Sequence, residues 1–212
     1  MENPWQNIKL SDYENHMKLD TVMQLQAMNA MMKGQFYDYP VKTIMILGVA
    51  GGNGLEHIWP QHFEKVYGVD INREYLRECA ARYKNLAGTL ECVHADLMDD
   101  AAVLPHADLV VANLLVEYIG YHGFQKTIAQ IWPQYVSCII QINTDDSFVS
   151  DSPYLHVFDG LDRVHHPIDE NGLSKAMEES GYLFTAKAGK TLPNGKKLMR
   201  MDFRRRDEAQ DR

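Results

Sequence analysis

The stretch Val41-Lys-Thr-Ile-Met-Ile-Leu-Gly48-Val-Ala-Gly-Gly-Asn-Gly54 decides how the chain is read. Val41 to Leu47 is short, apolar and rich in β-branched side chains, the pattern of a strand buried on both faces. It runs straight into Gly48, Gly51, Gly52 and Gly54. Glycines let the backbone turn sharply and let a ligand approach without a Cβ in the way. Leu55 to Trp59 reads as a short helix stopped by Pro60, and a helix start offers unpaired N–H groups. A glycine cluster also makes plain turns, so the loop needs support from elsewhere in the chain.

The support comes from the alternation that follows. Lys65–Val69 reads as strand, and Asn72 caps a helix reaching about Tyr83. Leu90–Ala95 is strand, and Asp99–Leu104 is weakly helical. Leu109–Ala112 is strand, Phe124–Trp132 helix closed by Pro133, and Tyr135–Ile142 strand. Ile168–Ser180 is helix, with Gly181 as its stop. Tyr182–Ala188 and Leu198–Phe203 flank Pro193-Asn194-Gly195 and read as a hairpin, because Asn-Gly tolerates positive φ. Strands alternating with helices imply right-handed βαβ units and a mostly parallel sheet. Upstream, Ser11 to Lys33 is predicted as one helix, with Ser11 and Glu14 in capping-box spacing. Val22, Leu25, Met28 and Met32 form its apolar stripe, and Gly34 its stop.

Bulk properties narrow the functional classes. The chain has 212 residues, 45% of them hydrophobic, enough for one α/β domain with appended elements. We divide it into an N-terminal helical cap or lid, 1–40, and a ligand-binding domain, 41–206. The formal net charge of -8 disfavours tight binding to nucleic-acid phosphates. Cys79, Cys92 and Cys138 form no C-x-x-C pair and read as buried thiols in a reducing compartment. With no signal-like opening and no run of about 20 apolar residues, the expectation is a soluble cytoplasmic protein away from membranes.

Two acids sharpen the glycine loop. Asp70 ends the second strand, in Val66-Tyr-Gly-Val-Asp70, where a carboxylate points into the crevice and can accept both hydrogen bonds of a ribose diol. Asp96 ends the third, in Cys92-Val-His-Ala-Asp96-Leu97, where it can accept from an adenine amine. A helix N-cap is the plainer role for either. A nicotinamide-dehydrogenase G-x-G-x-x-G fits less well. Read from Gly52 it meets His57, and from Gly48 it meets Ala50 and Asn53.

With these residues in place, Val41–Phe203 resembles the class I S-adenosylmethionine-dependent methyltransferases. Ile44–Asn53 is similar to their glycine motif, Val69-Asp70-Ile71 to their ribose-binding acid, Ala95-Asp96-Leu97 to their adenine-side motif, and Val110–Leu115 to the end of their fourth strand. The sequence departs from the family pattern at Ile46, often an acid, and at Ala50, often glycine. The resemblance implies a Rossmann-like, doubly wound, seven-stranded sheet ending in an antiparallel hairpin, with S-adenosylmethionine as cofactor. It implies that Gly48, Ala50 and Gly51 line the methionine part and that Asp70 holds the ribose. Ile71 and Leu97 would sandwich the adenine, Asp96 would meet its amine, and Asn53 and Asn113 would also belong to the cofactor site. The opening Tyr13–Met17 with Gln24 looks like a bacterial branch of that family.

For the acceptor side, Asn113–His122 gathers Glu117, Tyr118 and His122 beside the expected methyl, and Trp5, Tyr13 and His16 could fold over the cofactor as a lid. Glu117, His122 and His16 are the candidate bases, needed only if the nucleophile arrives protonated. His165-His166 lacks helical metal-pair spacing, so no metal is expected. The expected activity is methyl transfer to a small molecule. The alternatives are an RNA or protein methyltransferase, or a non-catalytic S-adenosylmethionine-binding protein.

Overall fold

The computed structural model describes residues 3–143 and 148–207. Seven strands form one sheet: β1 (Thr43–Leu47), β2 (Lys65–Asp70), β3 (Leu90–His94), β4 (Leu109–Asn113), β5 (Tyr135–Ile142), β6 (Tyr182–Thr191) and β7 (Lys197–Arg205). Their order across the sheet is β3-β2-β1-β4-β5-β7-β6. β1 to β5 pair in parallel, and β7 runs against both its neighbours. Chain direction across the sheet reverses between β1 and β4, so a crevice opens beyond their carboxyl ends, where ligands bind in such sheets.

The helices are α1 (Leu10–Met17), α2 (Gln24–Tyr37), α3 (Arg73–Arg82), α4 (Val116–Ile131) and α5 (Glu170–Glu179). Period-two alternation divides the core into two layers. Met45 and Leu47 of β1 face a cluster with Phe124, Ile128, Leu173 and Met177 of α4 and α5. Ile44 and Ile46 face the other way, toward Met32 and Phe36 of α2 and Leu76 and Cys79 of α3. The second N-terminal helix is therefore packed into a face of the sheet.

The strands and the hairpin lie where the sequence places them, β5 at the same limits and Asn72 capping α3 through Oδ1 to the Glu74 and Tyr75 amides. The helices differ more. The predicted helix 11–33 is two, broken where Met23 sits in the left-handed region (φ 55) and Val22 is fully buried. Lys9, not Ser11, occupies the cap position, and Glu14 pairs with Arg82 instead of closing a capping box. Gly34 does not stop α2. A Cβ there would stand 2.6 Å from Arg200 NH1, and that guanidinium reaches past it to Asp38 at 2.8 Å. The glycine serves close approach.

Leu55–Trp59 shortens to a single 3-10 turn, Leu55–His57, and 99–104 forms turns without a helix. α4 begins eight residues before the predicted Phe124, at Val116, and is kinked at Gly120 (φ 66). A nine-residue 3-10 segment, Leu155–Arg163, has no counterpart in the sequence pattern. No helix among the described residues is long and apolar enough to cross a membrane.

Candidate functional site

The glycine loop is fixed from two sides. Gly48 has φ +70 and Ala50 φ 46, so the turn uses left-handed backbone even where the residue is not glycine. Such a conformation costs about 1 kcal/mol for a residue with a Cβ. Leu114, at the end of β4, is the third left-handed residue on the crevice (φ 52). Asp70 holds the loop from β2. Its Oδ2 accepts from the Ala50 amide at 2.9 Å and its Oδ1 from the Asn72 amide at 2.8 Å. Each carboxylate oxygen can accept more than one hydrogen bond, so the group retains capacity for a ligand. Burial pushes its pKa up, against the lowering effect of those amides. From the other side, α2 holds the end of the loop: Asn53 donates to Leu25 O and accepts from Asn29, both at 3.1 Å.

The crevice is a cleft at the carboxyl ends of β1, β2 and β4, where ligands bind in such sheets. Gly48, Ala50, Asp70, Ile71, Asp96 and Leu97 all line it. Asp96 Oδ1 accepts from the Met98 amide, which makes a turn at the rim. Asn113 lines the cleft too, but its side-chain amide is engaged in two reciprocal bonds with Gln35 of α2, both 2.9 Å. Gly51 and Asn53 lie behind the loop, in a small recess against Glu14, Leu25 and Met28. They brace the loop from α1 and α2. Tyr75 of α3 adds a residue that sequence reasoning does not single out: it lines the cleft, and its buried hydroxyl has no hydrogen-bond partner.

The N-terminal segment lies across this cleft. Asn72 Nδ2 donates to Trp5 O at 2.9 Å while its Oδ1 caps α3. Tyr13 stacks on Tyr75 with ring centroids 6.4 Å apart, and Trp5 meets Tyr13 and Tyr118 edge-on at 5.7 and 4.9 Å. The Glu14 carboxylate makes a two-point ion pair with Arg82 at the end of α3. Trp5, Tyr13, Leu114 and Tyr118 are a shared partition, since they also line a second chamber.

Two of the three candidate bases belong to that second chamber. Glu117, 5% exposed, accepts from the Gln141 amide through Oε1 at 2.8 Å, and its buried Oε2 has no partner. Burial pushes its carboxyl up to about 7. His16 is buried against Phe158 and shares a hydrogen bond with Ser152 Oγ at 2.8 Å. Desolvation, then Lys196, lowers its pKa. The third, His122, is exposed and lines neither cavity, because the kink at Gly120 leaves it on the outer surface of α4.

His165, by contrast, belongs to the chamber. It stacks on Phe148 at 3.9 Å, and desolvation is the first cause of its lowered pKa. Its adjacency to His166 gives no signal of this, since its partners come from distant segments. Gln24 and Gln141, joined side chain to side chain, also enter the wall. Among the described residues no group of three or more His, Cys, Asp or Glu could hold a metal ion.

No protein-family model and no curated protein matches the sequence. Solved structures do match the fold. A geranyl diphosphate methyltransferase in complex with S-adenosylmethionine superposes with TM-score 0.65 at 11% identity, covering 85% of each chain. The magnesium protoporphyrin IX methyltransferase of Synechocystis PCC 6803, with S-adenosylmethionine bound, gives 0.60 at 11% identity over 96% of this chain and 90% of that one. The [4+2]-cyclase SpnF gives 0.62 at 8% identity over 85% and 82%. The chain has the fold of the class I S-adenosylmethionine-dependent methyltransferases.

Proposed function

We propose that the chain is an S-adenosylmethionine-dependent methyltransferase acting on a small molecule. The observation that carries this reading is the pair of cavities meeting at Trp5, Tyr13, Leu114 and Tyr118. One sits over the glycine loop and the two strand-end acids, and the other stands behind the partition as a place for an acceptor. The cleft suits the cofactor. The Asp70 carboxylate fits a ribose diol, Ile71 and Leu97 offer apolar faces to an adenine, and Asp96 can meet its amine. The unpartnered Tyr75 hydroxyl offers a further polar contact. When bound, the cofactor would supply an electrophilic methyl group.

The chain's own task is then positioning. The loop and Asp70 orient the cofactor. The segment 3–17 covers the cleft, excludes water and supplies the partition. It is the first part of the proposed N-terminal unit 1–40, whose α2 packs into a face of the sheet, and lids commonly order a second substrate. Glu117 and His16 stand on the acceptor side, where a proton leaving the nucleophile can be taken up. A chamber with aromatic walls favours a small molecule over an RNA or protein acceptor, and the acidic net charge agrees.

Calorimetric titration of S-adenosylmethionine and S-adenosylhomocysteine into the purified chain tests the reading. Binding to wild type, weakened in Asp70→Ala, is expected, and no binding of either sinks it. A second reading, a cofactor-binding protein with other chemistry, draws on the [4+2]-cyclase that shares the fold. Cofactor binding with no S-adenosylhomocysteine released across a broad acceptor panel would favour it.

A further inference from the structure

The second chamber has walls of one chemical kind and a floor of another. Trp5, Tyr13, Tyr118, Phe148 and Phe158 give it aromatic walls. The Glu117 carboxyl, the side-chain amides of Gln24, Gln141 and Asn143, and the imidazoles of His16 and His165 are its polar groups. Among the described residues no arginine or lysine lines it. Lys196 lies close by and donates to Asn143 Oδ1 at 3.4 Å, but it is not part of the wall.

Most of the polar groups are already satisfied. Gln24 donates to Gln141, and Gln141 donates to Asn143 Oδ1 and to Phe148 O. His16 bonds Ser152. Glu117 Oε2 stands apart as a buried acceptor with no donor among the described residues, on a side chain whose other oxygen is fixed by the Gln141 amide.

We propose that this chamber binds a small primary or secondary amine carried on a flat apolar body, with Glu117 Oε2 receiving the amine N–H. That this amine is the methyl acceptor rests on the methyltransferase reading above. The other acceptor classes fit the walls less well. A hydrocarbon leaves Oε2 unpaired, and a buried acceptor without a donor forfeits its hydration with no return. A carboxylate or phosphate brings a second negative charge beside Glu117 with no cation in the wall to balance it. An alcohol can donate one hydrogen bond but gains neither the ion pair nor the attraction of a cation to aromatic faces. An ammonium on a flat body uses all three features. It pairs with the carboxylate, lies among the rings, and sets its body against the aromatic walls.

The proton accounting is simple. An ammonium gives one N–H proton to the Glu117 carboxylate, which frees the nitrogen lone pair. That lone pair forms the new N–C bond to a sulfonium methyl as the S–C bond breaks, its electron pair staying on sulfur. The product nitrogen is again cationic, and the proton on Glu117 leaves to solvent.

Matched ligand sets on the full chain without cofactor test the assignment: benzylamine, benzyl alcohol and benzoate, and tryptamine, tryptophol and indole-3-acetate. Calorimetry is expected to show, in at least one set, the amine binding about tenfold or more tighter than its alcohol and its carboxylate. At about pH 6 that binding releases a proton to the buffer, since Glu117 must ionise to form the pair. This readout needs no variant. Glu117→Gln keeps an acceptor for the Gln141 amide and is expected to abolish the amine preference, with S-adenosylhomocysteine affinity unchanged within about twofold. The proposal is overturned if no amine outbinds its carboxylate partner, or if the preference survives Glu117→Gln in folded protein. Absence of S-adenosylhomocysteine binding to wild type, with amine selectivity intact, would count against the methyltransferase reading alone.

Discussion

The two cavities share a partition but are assembled in opposite ways. The cofactor-side cleft takes its polar groups from the carboxyl ends of consecutive strands, with Gly48 and Ala50 after β1, Asp70 ending β2 and Asp96 just after β3. Each lies within a few residues of a strand that the hydrophobic pattern marks. The second chamber is gathered from His16, Gln24, Glu117, Gln141, Phe158 and His165, which no single motif spans. The first is a property of local sequence and the second of tertiary packing. The difference should also appear in energetics, because a fold-wide ligand platform and a pocket of long-range contacts respond to different perturbations.

The largest expected effect belongs to the chamber. Glu117 has its carboxyl raised from the usual carboxylate range to about 7 by burial. An acid with a raised folded-state pKa contributes stability that is full below its unfolded pKa and lost as pH rises through the folded one. Its surroundings include Tyr118 next in the chain, Gln141 on β5 and, in the same chamber, Tyr13, His16 and His165, with Lys196 beyond. Relative to wild type, Glu117→Gln should gain about 3 kcal/mol between about pH 4.5 and pH 8. Urea unfolding at both ends of that window measures it. Equal pH dependence in the two proteins would mean the carboxyl is hydrated, and the contrast with the cleft would collapse.

Next comes the cleft. Asp70→Ala should weaken S-adenosylhomocysteine binding by roughly 1–3 kcal/mol while leaving amine selectivity in the chamber as it was. It should also lower the melting temperature, because the Ala50 and Asn72 amides lose their acceptor. A variant that melts earlier yet binds with wild-type affinity would reduce Asp70 to a loop brace.

The partition is probed by Asn72→Asp. Aspartate keeps the cap on α3 but removes the amide that donates to Trp5 O. We expect stability near wild type, earlier proteolysis within the first seventeen residues, and both ligands weakened by about 1 kcal/mol. Loss at one cavity alone would show that the partition serves only that side. The smallest effect is expected for Ala50→Gly. Relief of the left-handed strain at φ 46 opposes the greater unfolded-state freedom of glycine. The net change in stability should be within about 0.5 kcal/mol, read by denaturant midpoint.

The same contrast explains what is legible in the sequence. Thr43–Leu47, Asp70, Asn72 and the whole of β5 announce themselves because alternation, strand ends and caps are local signals. α1 and α2 merge into one predicted helix because the apolar stripe runs on through Val22 and Leu25 and carries no sign of the left-handed backbone at Met23. Gly34 reads as a stop since nothing local shows that Arg200, far along the chain, needs the space. Glu117 and His16 stand out by residue type, but which oxygen lacks a partner depends on a β5 amide. His165 and Tyr75 escape a sequence reading for the same reason, and His122 enters it because the kink at Gly120 is invisible in a run of mixed residues.

α2 has one consequence for the order in which the molecule is made. Its Gln35 side chain bonds Asn113 on β4 and Ser137 on β5, Ser137 bonds Asp202 on β7, and Arg200 of β7 reaches back to Asp38. A segment synthesised among the first forty residues therefore finds its last partners in a strand near residue 200. On a ribosome adding roughly 5–20 residues per second, α2 leaves the exit tunnel many seconds before the strand that completes its binding surface. During that interval Met28 lacks its final cover, because its cluster includes Leu198 of β7. This fold is closed by its earliest and latest segments together, so chaperone dependence during synthesis should be governed by the delay before β7 emerges.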